Sequence, residues 1–147
     1  MAKVLAVNIS ENKGEIKRPL EKGYFEVDHG LNGDAHAGNW HRQVSLLGNE
    51  SIDKMRTRGF HNLEAGNFAE NITTEGIVLY ELPVGTKLKI GETVMEVTQI
   101  GKECHKGCAI REKTGDCVMP REGIFTKVLT PGWIKAGDTI ERIGYSG

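Results

Sequence analysis

All three cysteines of the chain fall in one short stretch, Cys104, Cys108 and Cys117. An odd number in a single cluster suits local chemistry better than a disulfide framework. Cys104 stands in the run Lys102-Glu103-Cys104-His105-Lys106. The thiolate is the nucleophile and the soft-metal ligand, and a free cysteine ionises near pH ~8.5. Lys102, Lys106 and a protonated His105 would draw that value down, and Glu103 would oppose them. The competing reading is a buried thiol that packs as a small hydrophobe. The spacing Cys104-x3-Cys108-x8-Cys117, with His105 adjacent, also admits a structural zinc, although such sites usually carry a second close ligand pair. Otherwise Cys108 and Cys117 serve as resolving thiols or fill space.

Three further groupings hold polar residues of the right types. His29, Asp34 and His36 lie among glycines in residues 29–38, where backbone can approach a bound group closely. They are ligands or acid–base groups, or else a polar turn in which Asp34 caps amides and the histidines face water. Glu70 and Asn71 either orient a ligand or satisfy loop backbone. Arg121, two residues before Gly123, offers a guanidinium that can clamp a phosphate in bidentate fashion, or is an exposed surface arginine.

The elements that must hold these residues are short. Nineteen glycines break the chain into brief segments, a pattern of strands and turns rather than of a helix bundle. Strands are expected at residues 3–9, 24–29, 43–47, 77–80, 87–90, 94–100, 123–129 and 139–143. A helix is expected at residues 49–58, capped by Asn49 with Ile52 and Met55 inward and Gly59 ending it. A shorter helix is expected near 68–71. Residues 33–41 read as a loop, and 101–120 as a long functional loop with one helical turn at 108–113. Many short strands with few helices favour a mainly β fold, a closed or nearly closed β-barrel, because closure removes exposed edges.

Composition narrows the function classes. The net charge of −1 argues against a general nucleic-acid binder. No apolar run is long enough to span a bilayer, and the opening residues are too polar for a signal peptide. The expectation is a single domain, residues 1–147, in a reducing, cytoplasmic setting where the thiols stay free.

Taken in order, GDAHAG (33–38), HRQVSLL (41–47), GNFAENITTEGI (66–77), LPVGTKLKIGETVMEVTQIGKECH (82–105) and REGIFTKVLTPGWIKAGDTI (121–140) resemble the MOSC domain, the C-terminal domain of molybdenum-cofactor sulfurases. The resemblance spans residues 3–143. It implies a barrel related to that of pyruvate kinase, with short helices at the rim, and one key cysteine after the strand, here Cys104. It also implies site-lining roles for Asp34, His36, Glu70, Asn71, Arg121 and Gly123, with Lys102 beside the cysteine.

Two chemistries follow from the resemblance. In one, Cys104 accepts a persulfide sulfur from a pyridoxal-phosphate-dependent cysteine desulfurase and acts as a sulfur carrier or accessory protein of molybdenum-cofactor metabolism. In the other, Cys104 ligates molybdenum, and the domain is the cofactor-binding part of a reductase of N-hydroxylated compounds, served by an electron-donor partner. Soft thiolate sulfur suits both. With no desulfurase domain of its own, the chain needs a partner, and pyridoxal phosphate would reside there. A non-enzymatic zinc-binding adaptor is the alternative from another class.

Overall fold

The computed structural model describes residues 2–101 and 119–146. Strands β1 (Lys3–Ile9), β2 (Arg18–Leu20), β3 (Lys22–Glu26), β4 (Gly30–Leu31) and β5 (Val44–Gly48) lead into helix α1 (Asn49–Arg56). Strand β6 (Ile72–Glu75), a 3-10 turn at Leu79–Glu81, and strands β7 (Thr86–Ile90) and β8 (Thr93–Ile100) follow. After the undescribed residues come α2 (Met119–Glu122), β9 (Ile124–Thr130), β10 (Gly132–Lys135) and β11 (Ile140–Tyr145).

Among the described residues the main sheet has eight strands in the order β11-β7-β8-β9-β5-β6-β1-β2, and β10-β3-β4 form a smaller sheet. Only the β5–β6 pairing within these sheets is parallel. The main sheet curls until its ends meet. Lys3 bridges Thr139, Val4 N–H donates to Asp138 O at 2.8 Å, and Gly137 N–H donates to Val4 O at 2.8 Å. The ladder does not run continuously through this seam, so the fold is mainly β and barrel-like, nearly closed.

Period-two patterning explains the inward faces. In β7, Leu88 and Ile90 are buried while Lys89 is exposed, and in β8 Met95 and Val97 point into the barrel with Val4, Val7, Phe25, Leu46, Ile124 and Ile134. Strand β5 is buried on both faces. Val44 and Leu46 join the barrel core. Leu47 instead packs beneath α1 with Ile52, Met55, Leu63, Phe68, Met119 and Phe125. This second cluster on the outside of the barrel wall is what frames the candidate site.

Several local expectations are corrected. Asn49 is the first helical residue rather than the cap; Gly48 occupies the cap position, and Asn49 Oδ1 accepts from Arg56 Nη1 at 2.8 Å. No helix forms at 68–71, because Gly66 (φ +87°) and Ala69 (φ +63°) both take left-handed conformations that end helical winding. The strand expected at 77–80 lies earlier, at β6, where Thr73 and Thr74 are buried beside β5 and alternation is therefore hidden. The short strands β2, β4 and β10 had no pattern of their own. The helical turn expected at 108–113 lies outside the described residues.

Candidate functional site

A small recess opens on the outer face of the barrel wall, lined by His36, Trp40, Arg42, Ser45, Ala69, Met119 and Phe125. Ser45 reaches it because alternation along β5 turns this residue away from the barrel core. Phe125 does the same on β9, directly opposite Ser45 in the antiparallel register. His36 and Trp40 come from the loop that the sequence marks as glycine-rich. Gly30 (φ +108°) lets that loop close, since a Cβ there would lie 2.6 Å from the Gln43 carbonyl oxygen. Trp40 Nε1–H donates to His36 O at 2.9 Å and holds the loop in shape.

Asp34 organises the floor beneath His36. Its Oδ1 accepts from Ser10 N–H at 3.1 Å and from Lys17 Nζ at 2.8 Å, and its Oδ2 accepts from His36 N–H at 3.0 Å. Both side chains of the Lys17–Asp34 pair are fully inaccessible to solvent. Burial on its own would raise the Asp34 pKa, but the Lys17 ammonium and the two amides prevail and hold it below the usual 3.8. Lys17 also donates to Ser10 Oγ at 2.9 Å and lies 3.1 Å from His36 Nδ1.

Glu70 and Asn71 form a separate buried network behind Ala69. Glu70 Oε2 accepts from Gly66 N–H at 3.0 Å and Thr73 Oγ1 at 2.7 Å, and Oε1 accepts from Phe68 N–H at 3.2 Å. Burial nevertheless pushes its carboxyl above the usual 4.5. Asn71 Oδ1 accepts from Ser45 N–H at 3.0 Å, and its Nδ2 donates to Asn8 O at 3.3 Å, tying β5 to β1. These two side chains hold the turn that presents Ala69 to the recess and do not themselves line it. A left-handed alanine at a recess wall is a local strain maintained by that network.

Arg42 is the fixed cation of the recess. Its guanidinium carbon lies 5.8 Å from the Trp40 ring centroid and 5.3 Å from that of Phe125, and its Nε donates to Gln99 Oε1 at 3.1 Å. His41 Nε2 meets the same oxygen at 2.9 Å, and Gln99 Nε2 donates to Gly101 O at 2.7 Å. The end of β8 is thereby pinned to the recess. Gly101 N–H donates to Gly123 O at 2.6 Å, while Met119 lines the recess itself. Both described ends of the segment that carries Cys104 are thus anchored at this opening.

Of the residues expected from the sequence, the fold brings Asp34 and His36 together. Glu70 and Asn71 support the opposite wall. Arg121 lies exposed on α2 beside the recess residue Met119, and Gly123 packs so tightly on Met119 that a Cβ would collide with its sulfur. Lys102 and Cys104 lie outside the described residues. Sequence reasoning missed Lys17, Trp40, Arg42 and Ser45. The motif 41–47 contained a usable signal for the last two, an arginine and a lone serine against an apolar strand. Lys17 offered none.

A second depression, between α1 and residues 76–80, is more apolar, and its charged groups are mutually satisfied. Ser51 Oγ donates to Glu122 Oε1 at 2.6 Å and Lys54 Nζ to both Glu122 oxygens at 2.9 Å. Among the described residues no three His, Cys, Asp or Glu side chains are grouped to hold a metal, and no helix is long and apolar enough to cross a membrane.

Comparison with known proteins places this geometry. The family model described as MOSC domain matches residues 33–141. No curated protein matches. The crystal structure of YuaD protein from Bacillus subtilis is similar with a TM-score of 0.78 at 19% identity, covering 95% of this chain and 94% of that one. YiiM from Geobacillus stearothermophilus gives 0.74 at 17% identity, covering 98% and 76%, and YiiM from Escherichia coli gives 0.68 at 18%, covering 98% and 71%. At these identities the likeness establishes the fold alone.

Proposed function

The chain belongs to the MOSC domain family, which is associated with molybdenum-cofactor-related proteins, and from that premise we propose that it is a sulfur carrier or accessory protein of molybdenum-cofactor metabolism. Cys104 is its sulfur acceptor. The observation that carries this reading is the anchoring of both ends of the Cys104 segment at a recess lined by His36 and Arg42.

The transfer needs no external oxidant. The Cys104 thiolate attacks the terminal sulfur of a persulfide on a partner cysteine desulfurase. A sulfur–sulfur bond forms as the partner's own sulfur–sulfur bond breaks, and the partner cysteine leaves as a thiolate. Pyridoxal phosphate acts only on the partner. A fixed cation such as Arg42 favours the anionic thiolate and persulfide, and the reducing cytoplasm keeps Cys104 available.

A second reading is favoured by Arg42 itself. Among the described residues its guanidinium meets rings and an amide but no carboxylate, which suits an anionic group in the recess. Molybdenum cofactor suits that chemistry: Arg42 would pair with its phosphate and Cys104 would offer a soft thiolate to the metal. Bound there, the cofactor would deliver electrons to N-hydroxylated substrates and take up the oxygen they lose.

Peptide mass spectrometry after incubation with a cysteine desulfurase, pyridoxal phosphate and cysteine separates the two. A one-sulfur gain on Cys104, absent in Cys104→Ala, supports the carrier. No gain on any cysteine with an active desulfurase overturns it, and molybdenum and pterin in the purified protein then support the second reading.

A further inference from the structure

Lys17 has a fully buried side chain, and sulfur transfer as written above makes no use of it. Its donor count is closed. An ammonium has three N–H donors and no acceptor. The three partners of Nζ are Ser10 Oγ at 2.9 Å, Asp34 Oδ1 at 2.8 Å and His36 Nδ1 at 3.1 Å. Ser10 Oγ passes its own proton on to Asn12 O at 3.1 Å, so toward Lys17 it accepts. Asp34 accepts at every contact and is ionised. His36 Nδ1 must therefore present its lone pair to Lys17.

We propose that Lys17 is a positioning residue that fixes His36 as a neutral imidazole protonated on Nε2, so that His36 offers the recess a hydrogen-bond donor and not a base. Asp34 Oδ2 lies 3.8 Å from the same Nδ1 and by itself would favour a proton there. Lys17 is closer, and it bonds the other carboxylate oxygen, so it decides the tautomer. The backbone of Lys17 is held independently, through Lys17 N–H to Gly66 O at 2.8 Å, which keeps the ammonium on station.

The proposal rests on the recess being the functional site and deepens that reading. A histidine held this way cannot take a proton from the Cys104 thiol. It stabilises a sulfur anion by donation, and deprotonation falls to other groups or to solvent.

The test reads the ring directly. Long-range proton–nitrogen correlation spectra of the 15N-labelled protein at neutral pH, with His36 assigned by its absence in His36→Gln, should show a protonated Nε2 and a bare Nδ1. A proton on Nδ1, or on both nitrogens, overturns the proposal. In Lys17→Met the proton should move to Nδ1 or both sites should fill. An unchanged ring in folded Lys17→Met removes the role assigned to Lys17; if that variant fails to fold, the wild-type spectrum still decides. In the sulfur-loading assay, His36→Gln, whose amide stands near the Nε2 position, should load Cys104 at least about tenfold faster than His36→Asn, the worth of one hydrogen bond to a charged atom. Equal rates in the two variants overturn the donor role. If wild type loads no sulfur at all, the carrier reading fails while the ring spectrum still tests this one.

Discussion

The Lys17–Asp34 pair converts one surface motif into a buried electrostatic unit. Two fully inaccessible opposite charges tolerate each other only as a pair, and removing one strands the other. Asp34→Asn should therefore destabilise the protein by about 3–5 kcal/mol at neutral pH, read as a lowered urea midpoint. The sign of the pH dependence follows from the depressed native pKa. The Asp34 contribution is fully present above the ordinary 3.8 and is lost as pH falls through the lower native value. Wild type and Asp34→Asn should converge in acid. Glu70 works in the opposite direction, its contribution being lost as pH rises from the ordinary 4.5 through its raised native value. It titrates in both proteins, so their difference isolates Asp34.

The turn at residues 66–69 shows how one short element serves two networks. Gly66 and Ala69 both sit at positive φ, but their surroundings differ. A Cβ on Gly66 would run into the backbone carbonyl of Lys17, which cannot yield without disturbing the buried ammonium. Gly66→Ala should cost more than about 1 kcal/mol and also disturb the His36 ring. Ala69 already carries its Cβ in a left-handed conformation, a cost of about 1–2 kcal/mol that glycine escapes. Ala69→Gly should thus be neutral or stabilising by up to about 1 kcal/mol, the lost strain being partly offset by the greater entropy of unfolded glycine. Thermal or urea unfolding of the two variants checks both signs.

The nearly closed barrel depends on a seam between the start of β1 and the segment entering β11. The seam amides of Val4, Gly137 and Ile140 donate to Asp138, Val4 and Ala2 carbonyls at 2.8, 2.8 and 3.0 Å. Val4 and Ile140 belong to the barrel core, so opening the seam should require disrupting that core. Hydrogen exchange should show the Val4 and Ile140 amides protected close to the level of global unfolding. Exchange far faster than that of the β7 and β8 amides would mean that the barrel opens locally at this seam.

What could be read from the chain without its fold was what depends on neighbours in sequence. Alternation in Thr86–Ile90 and Thr93–Ile100 announced strands, because side chains two apart share a face whatever the topology. Glycine density announced short elements and a barrel. The ordered motifs announced the family, while the reactive thiol expected at Cys104 lies outside the described residues. Tertiary structure alone decided which donor meets which acceptor. Lys17 sits in a polar stretch that reads as solvated, yet β1, the 66–69 turn and the loop at Asp34 converge around it. Arg42 and Ser45 become walls of a recess only because β5 is covered on its outer face by α1 and the second core cluster. Such pairings span from 7 positions for Lys17–Ser10 to 57 for Arg42–Gln99, and the packing of strands and loops sets them; no local pattern encodes it.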